Sequence, residues 1–321
     1  SSFRAANAIA LPSGSNTNHA SNLEASKPKK VLVCAPSNAA VDELVLRLKD
    51  GVINSKGDKY SPKLVRLGRT DAINSAVKDM TLEELVDAQL GKTNTSNGDQ
   101  MSALFKELSE VRRGRDKCKA DIADNKDAAE QKKLLKELNQ KSNLIKKKLD
   151  EERERQATAY RSREINRRNL QAKILGEAEI ICSTLSGAAH DMVANIGIKF
   201  DSVIIDEACQ CTELSAIIPL RYGCKRCIMV GDPNQLPPTV LSSVAADSKY
   251  DQSLFVRMAN HVKPLLLDVQ YRMHSAISKF PSKKFYDGKL KDGPDMDKLT
   301  ERTWHNNPNF PPYRFLDIIE G

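Results

Sequence analysis

A set of short apolar runs, each stopped by a polar loop, most constrains the fold of this chain. "KVLVCAP" (Lys30 to Pro36), "KLVRLG" (Lys63 to Gly68), "EIICST" (Glu179 to Thr184), "SVIIDEA" (Ser202 to Ala208), "RCIMVGD" (Arg226 to Asp232) and "PLLLDV" (Pro264 to Val269) are rich in Val, Ile and Leu. They do not alternate apolar with polar, so they read as strands buried on both faces, as in a parallel sheet covered by helices. The helical pattern "NAAVDELVLRLK" follows the first run directly, which suggests the start of a βα unit. The expected class is α/β.

In open parallel sheets, ligands sit beyond the carboxyl ends of the strands. Polar loops fall there four times: "APSN", "STLSG", "DEA" and "GDPNQLPP". An acid that ends a buried strand can hold Mg²⁺ through water, and an adjacent acid can orient or deprotonate an attacking water. Asp206 and Glu207 have that placement, although an adjacent acid pair is also ordinary surface charge. Gly231 is expected to permit a tight turn, the prolines to stiffen the loop, and Gln235 to offer an amide to a terminal phosphate.

The same region carries Cys209, Cys211, Cys224 and Cys227, whose C-x-C and C-x-x-C spacing resembles a zinc site. Against zinc, Cys227 sits inside an apolar strand run, and buried inert thiols are the default. "GKT" (Gly91 to Thr93) imitates a phosphate loop, but Val86 stands where a glycine is needed and a helix, "TLEELVDAQL", precedes it. We reject it.

Net charge is +8, which suits a polyanionic partner, nucleic acid first among them, although charge alone fits a merely basic soluble protein equally well. No run approaches the ~18 apolar residues of a membrane span. Seven cysteines without a paired spacing pattern suggest reduced thiols in nucleus or cytoplasm. From about Met101 to Arg168 charged residues dominate, with apolar stripes at helical spacing: Phe105, Leu108 and Val111, then Leu134, Leu138, Ile145 and Leu149. With "ADNKDA" as the turn, this reads as a projecting helical hairpin, either a prong that meets a partner or a solvated coiled hairpin. Residues 1–29, rich in Ser, Asn and Ala, read as a tail or loop without a core.

These residues together resemble the superfamily 1 helicases of the nonsense-decay and senataxin group, closest to its fungal senataxin-like transcription-termination branch. "APSNAAVDEL" matches motif Ia, "CSTLSG" motif Ic, "IIDEACQCTE" motif II, "VGDPNQLPPT" motif III and "VQYRMH" motif IV, in the family's order. The resemblance covers about Lys30 to Gly321. It implies a RecA-like lobe at 30–92 and 173–260, an inserted prong at 93–172, and the start of a second RecA-like lobe at 261–321. It also implies ATP and Mg²⁺ as cofactors. Asp206 would coordinate Mg²⁺ through water, Glu207 would activate water, and Gln235 would contact the γ-phosphate. Tyr271 would stack on adenine, and Arg272 would reach the γ-phosphate from the second lobe. Pro36, Ser37 and Asn38, with Ser183 and Thr184, would touch a single strand of RNA or DNA.

Two departures from the family pattern stand out. Ser275 follows His274 where proline is usual. No Walker A loop precedes Lys30, and motifs V and VI are absent, so the expectation is an internal piece of a larger motor with little ATPase activity alone. The leading expectation is a nuclear, ATP-driven helicase acting in transcription termination or RNA processing, with transcription or RNA-processing proteins as possible partners and no membrane. The alternatives are a non-catalytic nucleic-acid-binding module and a zinc-stabilised scaffold.

Overall fold

The computed structural model describes residues 7–12, 29–91, 98–123, 128–195 and 197–316. They divide into two compact units: Ser1–Glu84 with Ile174–Gly321, and Leu85–Lys173.

Along the chain, β1 (Asn7–Pro12) precedes β2 (Val31–Ala35) and α1 (Asn38–Lys49). The short pair β3 (Val52–Ile53) and β4 (Lys59–Tyr60) leads into β5 (Leu64–Arg66), and α2 (Leu82–Leu90) follows. Two long helices, α3 (Gly98–Ala123) and α4 (Ala128–Glu177), come next. The strand pattern then resumes with β6 (Ile180–Thr184), α5 (Asp191–Asn195), β7 (Ser202–Ile205), α6 (Glu213–Ile217) and β8 (Arg226–Gly231). The chain continues through α7 (Ser243–Asp247), α8 (Leu254–Ala259), β9 (Leu265–Leu266) and β10 (Val269–Gln270). It closes with α9 (Ser275–Phe285), β11 (Lys291–Asp292) and α10 (Met296–Thr300).

Seven strands form one sheet in the order β5-β6-β2-β7-β8-β1-β9. From β5 to β8 every pairing is parallel, as the continuous apolar runs predict. The class is α/β with a RecA-like sheet. The register aligns the strand ends: Cys34 pairs with Ser183 and with Ile205, and Ile205 pairs with Met229. The polar loops after β2, β6, β7 and β8 therefore emerge side by side. The ladder runs on into them, since Leu185 N donates to the Ala35 carbonyl (3.1 Å) and Asp206 N to the Cys34 carbonyl (2.8 Å).

Helix α1 starts where Ser37, in extended conformation, accepts a hydrogen bond from Ala40 N (3.2 Å), an N-cap that satisfies one orphan amide. Its buried Val41 and Val45 pack on Val33, Ala35, Leu64 and Cys182. The C-terminus of α4 is held by Lys30, whose ammonium donates to the carbonyls of Leu175 (3.2 Å), Gly176 (2.6 Å) and Ala178 (2.5 Å). A cation there satisfies orphan carbonyls and faces the negative end of the helix dipole.

The N-terminal expectation needs correction. Asn7–Pro12, taken from sequence as loop or tail, forms β1, antiparallel to both β8 and β9. "NAIALP" is short but apolar, and β8 presents unpaired backbone groups that a strand can satisfy. Residues 13–28 lie outside the described residues.

The second unit is a helical hairpin. Leu108 and Val111 of α3 pack against Ile145 and Leu149 of α4 in one small buried cluster, and Glu107 pairs with Lys141 at 3.3 Å. The stripe is thin, as expected, and two of its expected members, Phe105 and Leu134, are exposed. Phe105 instead receives the Arg153 guanidinium over its ring at 5.9 Å. Of the expected turn, residues 124–127 lie outside the described residues. So do Lys92 and Thr93 of "GKT"; Gly91 follows helix α2, not a strand. Among the described residues no helix is long and apolar enough to cross a membrane.

Candidate nucleotide site

Asp206, Glu207, Gln235 and Arg272, separated by up to 66 positions in sequence, line one cleft of about 670 Å³ at the strand ends. Pro36 and Ser37 border it as well. A cavity of that size is ordinary for a cofactor-sized ligand.

The acid pair sits on a strained turn. Glu207 has φ +52° and ψ +38°, in the left-handed region that costs a residue with a Cβ about 1–2 kcal/mol. Three contacts hold it there. Gln210 N donates to the Glu207 carbonyl (2.9 Å), Gln210 Nε2 to the Glu207 carboxylate (2.9 Å), and the Cys211 thiol to the same carbonyl (3.3 Å). Gln210 also lines the cleft and was missed in the sequence; its only signal was its place three residues after Glu207.

Gly231 was expected to permit a tight turn, and that reading is corrected. Its role is close approach: a Cβ there would lie 2.8 Å from Cys209 N and 3.0 Å from Cys209 Sγ. The end of β8 thereby touches the backbone just after the acid pair, setting two polar loops at a fixed separation. Next in the chain, buried Asp232 organises the loop: its carboxylate accepts from Asn234 N (3.0 Å) and from Gln235 Nε2 (2.8 Å).

The segment carrying Tyr271 and Arg272 is shaped by buried Gln270. Its side-chain oxygen accepts from the backbone N–H groups of Arg272 (2.8 Å) and Met273 (2.7 Å), while its amide nitrogen donates to the Met273 carbonyl (2.8 Å) and to Asp292 (2.5 Å). Every hydrogen-bonding position of that amide is used, so the turn has one conformation. Arg272 lines the cleft, whereas Tyr271 is not among its lining residues. The Tyr271 ring is 45 % exposed and lies close over Gly293, where a Cβ would stand 2.4 Å from it.

The five residues assigned to nucleic acid are not equivalent. Ser37 is exposed and Pro36 half-buried at the cleft edge. The Asn38 side chain accepts from Arg66 Nη2 (2.8 Å) as part of a buried network in which Arg66 Nε meets Asp42 at 2.9 Å. Thr184 is half-buried and its hydroxyl oxygen accepts from Gly187 N (3.0 Å). Ser183 is fully buried, with no hydrogen-bond partner for its hydroxyl among the described residues. The Ser183 hydroxyl lies beneath Gly187, where a Cβ would stand 2.6 Å from its oxygen, so this side chain is covered while Thr184 is only half-buried.

The zinc alternative fares no better. Cys209, Cys211 and Cys227 are buried, and burial pushes each thiol up to about 12. Among the described residues no group of three or more His, Cys, Asp or Glu side chains could hold a metal ion. A single carboxylate at a strand end does suit Mg²⁺, which takes its remaining ligands from water and phosphate oxygens.

Comparisons with known proteins define the family. Two family models, each described as an AAA domain, match residues 5–243 and 250–321. The chain belongs to this family and, within it, to the superfamily 1 helicases of the senataxin group. It is 52 % identical to Helicase SEN1 of Saccharomyces cerevisiae over 324 residues, covering 98 % of this chain and 14 % of that protein. It is 46 % identical to Helicase sen1 of Schizosaccharomyces pombe over 308 residues, covering 90 % of this chain and 18 % of that one. ATP-dependent helicase NAM7 of Saccharomyces cerevisiae is 32 % identical over 296 residues, 90 % of this chain and 24 % of its own length. The chain thus spans less than a quarter of the length of each of these curated relatives.

Proposed function

We propose that this chain forms the nucleotide-hydrolysing part of an ATP-dependent helicase that moves along single-stranded RNA or DNA and unwinds duplexes or hybrids. One observation carries the reading: Asp206, Glu207, Gln235 and Arg272 share a cleft although different loops supply them. The relatives' names, helicase in each case, support it. We assign 30–92 and 173–260 to a first lobe, 93–172 to a prong and 261–321 to the opening of a second lobe.

ATP is the substrate in this reading. Asp206 holds Mg²⁺ through water, and the ion when bound offsets negative charge on the phosphates. Glu207 orients and deprotonates the attacking water, and its rigid turn keeps the carboxylate from drifting. Gln235 contacts the terminal phosphate through its amide, and Arg272 stabilises the charge that builds there. Tyr271, exposed beside the cleft segment, stacks on the base. Pro36, Ser37 and Thr184 contact the strand's backbone without reading sequence; Asn38 positions that loop through Arg66, and Ser183 supports Thr184 from behind. We further assign the protein to transcription termination or RNA processing in the nucleus, with proteins of those processes as partners.

Glu207→Gln in the intact protein tests the proposal. Nucleic-acid-stimulated ATP hydrolysis is expected to fall about 10²–10⁴-fold while nucleotide binding persists. Turnover unchanged by this substitution, with single-strand binding of steep salt dependence retained, would instead favour the non-catalytic binding module.

A further inference from the structure

Two of the cleft residues, Gln235 and Arg272, belong to different loops, yet hydrogen bonds tie the loop of each to α9 or to the residue that caps it. On one side, the Tyr286 hydroxyl donates to Asp232 Oδ2 at 2.5 Å, and Gln235 Nε2 donates to the same oxygen at 2.8 Å. Asn234 Nδ2 adds a second tie, donating to the Phe285 carbonyl at the end of α9 (3.0 Å). On the other side, Ser278 of α9 donates to Asp292 Oδ1 (2.6 Å), which also accepts from Gln270 Nε2, and Gln270 clamps the Arg272 turn. Burial first, then the hydrogen bond to Asp232, raises the Tyr286 phenol well above its ordinary value, so it stays protonated and serves as the donor.

We propose that Tyr286 is a positioning residue of the hydrolytic site, whose hydroxyl acts through Asp232 to hold the Gln235 amide in register with the Arg272 segment. The chemistry requires such a joint. The Asp232 carboxylate is held at Oδ1 by Asn234 N and at Oδ2 by the phenol and the Gln235 amide. Remove the phenol, and Oδ2 keeps only the amide it is meant to fix, so the Gln235 side chain is held less closely. The amide then meets the terminal phosphate in a range of orientations, which lowers the rate of the chemical step more than the affinity for nucleotide. The inference rests on the ATP cleft proposed above.

The test is Tyr286→Phe in the intact protein, which deletes one oxygen and keeps the ring. The kcat for nucleic-acid-stimulated ATP hydrolysis is expected to fall about tenfold, the scale of one charge-assisted hydrogen bond. The KM for ATP is expected to change less than about twofold, and the melting temperature by no more than ~2 °C. Gln235→Ala is expected to lower kcat at least as far, and the double variant no further than Gln235→Ala alone, since Tyr286 acts through Gln235. A wild-type kcat in Tyr286→Phe, or a double variant that loses the product of the two single effects, would overturn the inference while an inactive Glu207→Gln leaves the cleft reading standing. Turnover that survives Glu207→Gln would remove both.

Discussion

The sheet unit and the helical hairpin are stabilised by opposite means. In the sheet unit a guanidinium is removed from water altogether: Arg66 is fully buried, bonded to Asp42, Asn38 and the Leu67 carbonyl, and Asp42 in turn accepts from Asn74 N (2.9 Å). Among the described residues of the hairpin the buried apolar cluster is Leu108, Val111, Ile145 and Leu149, and ion pairs such as Lys141–Glu107 are open to solvent on both sides. Buried charge tolerates one arrangement only, whereas exposed pairs exchange with water at little cost. The difference teaches where catalytic precision is kept. The strained Glu207 turn, the Asp232 loop and the Gln270 clamp all lie in the sheet unit, which also holds the buried Arg66–Asp42 pair.

Four experiments would sharpen or break this contrast, from the largest expected effect down. Arg66→Ala leaves Asp42 buried without its partner and is expected to cost about 3–5 kcal/mol of stability in denaturant unfolding. A loss below ~1 kcal/mol would rank the pair with the surface bridges and erase the distinction. Ile145→Ala is expected to cost about 2–4 kcal/mol, but locally. Hydrogen exchange should accelerate in residues 85–173 and stay slow in β2, β6 and β7; equal acceleration in both would mean the units unfold as one.

Gly231→Ala is expected to cost about 1–3 kcal/mol, because its methyl group forces the Cys209 backbone away. Since that backbone follows Glu207, ATP turnover should fall further than stability does, and a variant with reduced stability but full turnover would show that the approach is only packing. The smallest effect concerns thiols. Burial raises the Cys224 thiol too, but Cys224 alone among the seven is partly exposed, whereas Cys209, Cys211 and Cys227 are buried and lifted to about 12. A raised pKa leaves thiolate scarce at neutral pH, so an aromatic disulfide reagent at pH 8 should label Cys224 first, with labelling faster as pH rises. The others should react only on unfolding. Rapid labelling of Cys209 would show that the acid turn opens.

The failures of sequence reading are local and have causes. "NAIALP" offered too few residues for any periodicity to register, and only an unpaired edge on β8 gave it a place. Ser183 and Thr184 are adjacent small polar residues in sequence, yet one is enclosed within the sheet and the other reaches the strand end. Asp232 and Gln270 lie inside matched motifs and Tyr286 lies in none, but the role of each was illegible because their bonds run between segments as much as 54 positions apart.

From the residues alone came the class of the fold, since uninterrupted Val, Ile and Leu runs have no other way to satisfy both faces of a strand, and the acids that follow them. Which side chains meet is a different matter. Parallel register brought the loops after β2, β7 and β8 together, a glycine let two of them touch, and one tyrosine hydroxyl tied a third segment to them. Those choices depend on distances through space, and no local pattern of hydrophobicity or charge encodes a distance between residues remote in sequence.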